Sequence, residues 1–232
     1  MYEAVRAAQS FIDSSHQHYI ITPNPEIVLL AWKNRRYRAV LNKASLSIPD
    51  GTGLVWASKR LYGEQCLKER VAGVDFIQKF LSHMSFESYT TNKTYRTLLL
   101  GGRENSAHIA SRILQKKFSN LKFYALGNEK SRHLKFIINE MIKPDCIFIA
   151  LGAPNQELWI SRNLEKFPTV KFAMGIGGAF DMIAGRTPRA PRAFQKIGAE
   201  WLWRLFIEPW RIARIFRAVM VFPAIIIKNR YF

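Results

Sequence analysis

Acidic residues are scarce in this chain. Asp and Glu number 17 against 35 Lys and Arg, which leaves a formal net charge of +18 and a pI near 10.2. A balance so one-sided points to an anionic partner: nucleic acid, an anionic lipid surface or a phosphorylated substrate. Cysteine is scarcer still. Cys66 and Cys146 are the only two, with no CxxC or Cys/His spacing, which excludes a disulfide framework and a sequence-encoded zinc site. No uninterrupted apolar run approaches the ~18 residues that span a bilayer. The longest, Val219–Ile227, is broken by Pro223. The opening residues carry no apolar core of a signal peptide. Neither GxGxxG nor GxxxxGK occurs, so the usual dinucleotide and P-loop fingerprints are missing. There is no repeat of solenoid length and no low-complexity linker.

What is present has one recurring grammar: a β-rich apolar run, then glycine or proline, then a helical pattern. "HYIITPNPE" opens with a strand over 19–22 that Pro23 and Pro25 stop. "RTLLLGGREN", "DCIFIALGAPNQE" and "VKFAMGIGGAFD" repeat the unit, and "LKFYAL" supplies a further strand. Continuous apolar strands alternating with helices predict an α/β fold, with a mostly parallel sheet and helices on both faces. Ligands of such sheets bind outside the carboxyl ends of the strands. The loops "TPNPE", "IPDGTG", "GGREN", "GAPNQE" and "GIGGAFD" are expected to gather there.

Each loop carries candidate residues and also a plain structural reading. Asp50 in "IPDGTG" is placed to act as a general base on a hydroxyl, or is a turn aspartate. Thr22 and Asn24 in "ITPNPE" sit on a stiff loop that positions side chains, or they cap the next helix. Gln156 in "GAPNQE" can bond a sugar or base, or is a solvated amide at a helix start. Gly177 and Gly178 let backbone approach a phosphate, with Asp181 beside them, or they form a tight turn with Asp181 as a cap. Arg70 in "KERVAGVDF" can pair with a phosphate or is a surface cation.

After Gly185 the character changes. Arg186–Phe232 holds ten Lys/Arg and two acids. Within Glu200–Met220 lie Trp201, Trp203 and Trp210 together with Arg204, Arg211, Arg214 and Arg217. Pro209 fits the first position of a second helix. On that helix Ile212, Ile215, Phe216 and Val219 make one apolar face, and at 100° per residue Arg211, Arg214 and Arg217 cluster roughly 150° away. An apolar face, a basic face and interfacial tryptophans describe a helix lying in a membrane surface. A helix packed on the domain with a solvated basic face is the alternative. The expected division is a globular domain over 1–193 and a basic, Trp-rich amphipathic helical appendage over 194–232.

Taken in order, "TPNPE", "PDGTG", "RVAGVD", "LLGG", "LGAPNQE", "GIGGAFD", "AGRTPRAP" and the Trp/Arg tail resemble the WecG/TagA/CpsF family of bacterial glycosyltransferases, from about Tyr19 to about Phe216. The resemblance implies a Rossmann-like α/β domain with a C-terminal appendage. It implies transfer of a hexosamine-type sugar (N-acetylmannosamine, its uronic acid or another hexose) from a UDP-sugar to a polyprenyl-diphosphate-linked sugar, with inversion. The setting would be polysaccharide synthesis at the cytoplasmic face of the bacterial plasma membrane, with the protein bound peripherally. It gives Asp50 the part of general base, and Thr22, Asn24, Arg70 and Gln156 those of substrate contacts. Gly177, Gly178 and Asp181 would belong to the nucleotide pocket. Arg204, Arg211 and Arg214 would meet the lipid diphosphate, with Arg217, Trp201 and Trp210 at the membrane. No cofactor or metal is implied, since no DxD-type pair stands as a metal clamp and tail arginines can carry the leaving charge. An oligomer is compatible. Two departures stand out. Family members begin with a further strand and a Leu-Gly turn, so the resemblance implies a misplaced start or one edge strand fewer. The end "FPAIIIKNRYF" is more apolar and basic than the family pattern and reads as added membrane affinity.

Two other classes share single features with this chain. A nucleic-acid-binding protein would account for +18, but the charge sits on a Trp-rich tail and no recognisable binding module is present. A nicotinamide-dependent oxidoreductase would account for the strand–Gly–helix units, but it needs the GxGxxG that is missing.

Overall fold

The computed structural model describes residues 1–127 and 133–228. Helix α1 (Tyr2–Ile12) leads into β1 (His18–Ile21), followed by α2 (Pro25–Lys33), α3 (Arg35–Asn42) and the two-residue β2 (Leu46–Ser47). Next come α4 (Thr52–Tyr62), α5 (Gly73–Thr91), β3 (Arg96–Gly101), α6 (Ser106–Lys117) and β4 (Lys122–Leu126). A short α7 (Leu134–Phe136) runs on as a π-helical stretch to Ile142, then β5 (Cys146–Ala150), α8 (Asn155–Asn163), β6 (Phe172–Gly175) and α9 (Ala179–Ile183). The tail holds α10 (Arg192–Lys196), α11 (Glu200–Ile207), a 3₁₀ turn at Pro209–Arg211 and α12 (Ile212–Phe216). A π segment (Arg217–Val221) then leads into α13 (Phe222–Lys228). The final residues of "FPAIIIKNRYF", Asn229 to Phe232, lie outside the described residues.

The six strands form one parallel sheet in the order β2-β1-β6-β5-β3-β4. Alternation along the strands explains why it is covered on both faces. Leu99 and Phe148 point to one side, where α1, α5 and α6 pack, while Leu98, Leu100, Ile147 and Ile149 point to the other, where α8 and the π-helical stretch pack. Helix α5 shows why it binds there: Phe76, Ile77, Phe80, Leu81 and Met84 recur at helical spacing and all are buried. Phe80 meets Phe172 edge-on at 5.2 Å and Phe148 at 6.4 Å, locking the helix to two central strands.

Chain direction along the sheet reverses at β3, whose sequence neighbour β4 lies on one side and β5 on the other. The crevice of a parallel sheet opens at such a point, outside the carboxyl ends. Local sequence holds its rim stiff. Asn24 Oδ1 accepts a hydrogen bond from Ile27 N at 3.0 Å, with Pro25 in the first turn of α2. A Cβ on Gly53 would lie 2.7 Å from the Pro25 ring, so the "PDGTG" and "PNP" loops sit face to face only because Gly53 has none.

The tail folds back on the domain. Phe222 and Ile226 of α13 are buried against Leu29 of α2 and Ala57 of α4. Thr52 Oγ1 at the start of α4 donates to the Gly198 carbonyl at 3.3 Å. The compositional change after Gly185 therefore marks a change in charge without a break in packing.

Candidate active site

At the carboxyl edge of the sheet lies a cleft of about 960 Å³. The loops after β1, β2, β3, β5 and β6 all line it, and α11 and α12 form its opposite wall. The five glycine- and proline-rich loops expected at that edge are thus brought together, with the tail across them.

Asp50 lies at the floor. Its backbone N–H donates to the Pro23 carbonyl at 2.8 Å, which ties the two loops. Its carboxylate accepts one long bond from Gly73 N, at 3.4 Å from Oδ2. The side chain keeps a solvent-facing edge through the cleft, yet protein crowds it on nearly every other side. That burial raises its pKa above the ordinary carboxylate range, and nearby Glu200 adds to the rise. The Gly73 N–H, Arg70 and Arg204 pull against it without cancelling it. A carboxylate poised in this way takes up a proton more readily than a solvated one.

The predicted neighbours divide into those that face a ligand and those already engaged. Thr22 lines the cleft, but its hydroxyl donates to the Gly175 carbonyl at 3.0 Å, joining β1 to β6. Asn24 also lines the cleft, and its Oδ1 serves the helix cap, leaving the amide nitrogen for a ligand. Gln156 is 2% exposed: Oε1 accepts from Gly177 N at 3.0 Å and Nε2 donates to Glu157 at 2.7 Å. Its place is therefore beneath the glycine turn, holding it, and not as a solvated amide. Gly175 must be glycine for the same reason, since a Cβ there would meet Gln156 Nε2 at 2.7 Å. Gly177 has φ +53°, with open space where a Cβ would point. Gly178, not Asp181, caps α9; Asp181 sits inside that helix and accepts from Ser106 Oγ at 2.6 Å.

Arg70 is no free surface cation. Its Nη2 donates to Glu200 Oε1 at 2.6 Å, joining the domain to the start of α11. Arg204 lines the cleft, with Nη1 3.9 Å from where a Cβ on Gly178 would lie. Arg211 Nε lies 2.7 Å from Glu208 Oε2, and Arg214 holds Glu26 through Nε and Nη2 at 2.8–2.9 Å. Arg217 is exposed and donates to the Ala213 carbonyl. The expected faces of the tail helix are thus corrected. Ile212, Ile215 and Phe216 lie in regular α-helix, and on its wheel Arg211, Arg214, Ile215 and Val219 share one arc while Ile212 and Phe216 share another, so the packed face mixes basic and apolar side chains. Arg211 and Arg214 turn toward the domain, Ile215 and Val219 line the cleft, and Ile212 and Phe216 face out. Trp201 borders the cleft half-exposed, and Trp210 is 63% exposed.

Sequence reasoning passed over the acids that organise these cations: Glu26, Glu200 and Glu208. A signal existed for two of them, since Glu200 and Glu208 are the only acids among the ten cations from Arg186 onward. It also passed over Glu157, fully buried, which accepts from Tyr37 OH at 3.0 Å and whose pKa burial raises despite that bond and the one from Gln156.

Comparison with known proteins identifies the family of the chain. The sequence model of the "Glycosyl transferase WecG/TagA/CpsF family" matches residues 1–232. Among relatives, an N-acetylglucosaminyldiphosphoundecaprenol N-acetyl-beta-D-mannosaminyltransferase of Staphylococcus aureus strain MRSA252 is 34% identical over 208 residues, covering 87% of this chain and 77% of its own. The protein of the same description from strain NCTC 8325 / PS 47 is 33% identical over the same span. A glycine-rich cleft at the carboxyl ends of a parallel sheet, lined by an arginine-bearing tail, is the candidate site, and the chain belongs to the glycosyltransferases of the WecG/TagA/CpsF family.

Proposed function

We propose that this enzyme transfers an N-acetylhexosamine from a UDP-sugar to the sugar hydroxyl of a polyprenyl-diphosphate-linked acceptor, with inversion. The observation that carries the reading is Asp50, a half-buried carboxyl of raised pKa lining a cleft walled by Arg70, Arg204 and Arg211. Asp50 takes the proton of the acceptor hydroxyl as that oxygen bonds to the anomeric carbon. The bond from that carbon to the UDP oxygen breaks, and UDP departs with the electron pair. The departing diphosphate gains negative charge, and guanidinium groups fixed in place beforehand stabilise it without reorganising. The Gly177–Gly178 turn, held from below by Gln156, offers backbone close enough to meet a nucleotide phosphate. Relatives named N-acetylglucosaminyldiphosphoundecaprenol N-acetyl-beta-D-mannosaminyltransferase support the choice of acceptor.

A lipid-linked acceptor calls for a site at a membrane surface. Phe206, Trp210, Ile212, Phe216 and Met220 stand exposed on the tail, and no helix among the described residues is long and apolar enough to cross a bilayer. These side chains seat the protein on the membrane face where the acceptor's diphosphate lies, as a peripheral enzyme.

The test is UDP release from a panel of UDP-sugars, with polyprenyl-diphosphate-GlcNAc in anionic vesicles, for wild type and Asp50→Asn. One donor should support acceptor-dependent release, and the substitution should lower it by about 10²–10⁴-fold, the usual contribution of a general base. Release by Asp50→Asn at the wild-type rate would remove Asp50 from the mechanism.

A further inference from the structure

Glu208 lies between α11 and the 3₁₀ turn and is 5% exposed. A carboxylate this enclosed is costly unless cations surround it. Three do. Arg211 Nε is 2.7 Å away, Arg204 Nη1 3.9 Å and Arg103 Nη1 3.8 Å. The first two belong to the tail. Arg103 belongs to the domain, on the loop after β3, and its side chain is 60% exposed. Three cations stand within 4 Å of this one carboxylate, a local excess of positive charge.

Hydrogen bonding there is also incomplete. Glu208 Oε2 and Arg211 Nε are in ion contact yet off the line a hydrogen bond needs, and both atoms are buried. Surplus charge beside the exposed Arg103 guanidinium suits an incoming anion. All three arginines line the cleft that holds Asp50, and Arg204 stands beside the Gly177–Gly178 turn. Guanidinium forks spread over this wall match a group with several oxygens and more than one negative charge. Burial, with Arg204 and Arg214 close by, disfavours the charged form of Arg211, and an anion at this wall would relieve that.

We propose that Glu208 is a positioning residue that gathers Arg103 of the domain with Arg204 and Arg211 of the tail into one diphosphate-binding wall, and that Arg103 contacts the diphosphate directly. The inference rests on the transferase reading of the cleft. The diphosphate belongs either to the nucleotide or to the lipid-linked acceptor, which share this chemistry.

The full-length chain is titrated calorimetrically with UDP and, separately, with a water-soluble short-chain prenyl-diphosphate-GlcNAc. Wild type, Arg103→Gln, Glu208→Gln, Glu208→Asp and the Arg103→Gln/Glu208→Gln double variant are compared. Arg103→Gln should weaken one of the two ligands by about tenfold, as loss of one charge-assisted contact does. The arm that weakens names the source of the diphosphate. Glu208→Gln should weaken the same ligand, and Glu208→Asp should recover most of the loss. The double variant should fall short of the product of the single effects, because Glu208 acts partly through Arg103. Arg103→Gln binding both ligands as wild type does would overturn the proposal. So would independent, multiplicative losses with no recovery in Glu208→Asp. Arg103 is exposed, so its arm decides even if Glu208→Gln fails to fold. Weakened diphosphate binding with no turnover of any donor would sink the transferase reading and leave the wall; turnover with unchanged binding would do the reverse.

Discussion

Asp50 combines two consequences of a single fact, its burial. As a base it must be ionised, so turnover should climb as pH rises through its raised pKa. The acidic limb of the kcat/KM profile is then predicted to sit above the range of an ordinary carboxylate. Removing Arg70, which lowers that pKa, should move the limb to still higher pH. The stability sign is opposite. A carboxyl whose folded pKa is raised contributes stability that is whole below the unfolded value and is lost as pH rises through the folded value. At neutral pH, therefore, Asp50→Asn should melt higher than wild type while losing activity. A rise of about 2–4 °C corresponds to roughly 1 kcal/mol in a chain of this size. Calorimetry at pH 7 checks it, and an equal or lower melting temperature would show that the carboxylate is better solvated than its surroundings indicate.

At the scale of the element, the tail helices are held by ion pairs around α11 and by apolar burial of α13. Helix α11 is fastened at its start by Glu200 to Arg70, and just beyond its end Glu208 reaches Arg103. Helix α13 is fastened by apolar burial, with Phe222 inside a cluster with Leu29, Ala57 and Ile226. Phe222→Ala should cost about 3–5 kcal/mol, the usual range for truncating a buried phenylalanine. A urea titration measures it. A cost below ~1 kcal/mol would mean that α13 opens independently of the domain.

Across the whole molecule, one tail carries both residues that line the cleft and apolar side chains that stand exposed. The proposed seating on a lipid surface rests on those exposed side chains. Replacing Trp210 and Phe216, 63% and 57% exposed, with Ser should reduce co-sedimentation with anionic vesicles several-fold without lowering the melting temperature. Undiminished vesicle binding would move the membrane contact elsewhere on the chain. Because the same tail carries Arg204 and Arg211, a protein shortened after Ala193 should lose turnover on lipid-linked acceptor. Full activity in that form would exclude the tail from the site.

The strands were legible in the sequence because buried parallel strands must be continuously apolar, and the loops because glycine and proline punctuate them at the carboxyl ends. Order along the chain sufficed to place Asp50, Thr22, Asn24 and the glycine turn at one edge, since a parallel sheet sends every such loop the same way. Partnership was not legible. That Gln156 faces the Gly177 turn, that Glu200 reaches Arg70 across 130 residues, and that Glu208 gathers Arg103 with two tail arginines are outcomes of packing. The faces expected of the tail helix failed for a related reason: periodicity gives the angles, but which arc meets the domain depends on partners such as Glu26, and that arc carries Arg211 and Arg214 with Ile215 and Val219. Local propensity and hydrophobic alternation act between near neighbours and can be read from one chain. Ion pairing and desolvation act between residues that only the tertiary structure brings together, and those decided which charges face the substrate and which face each other.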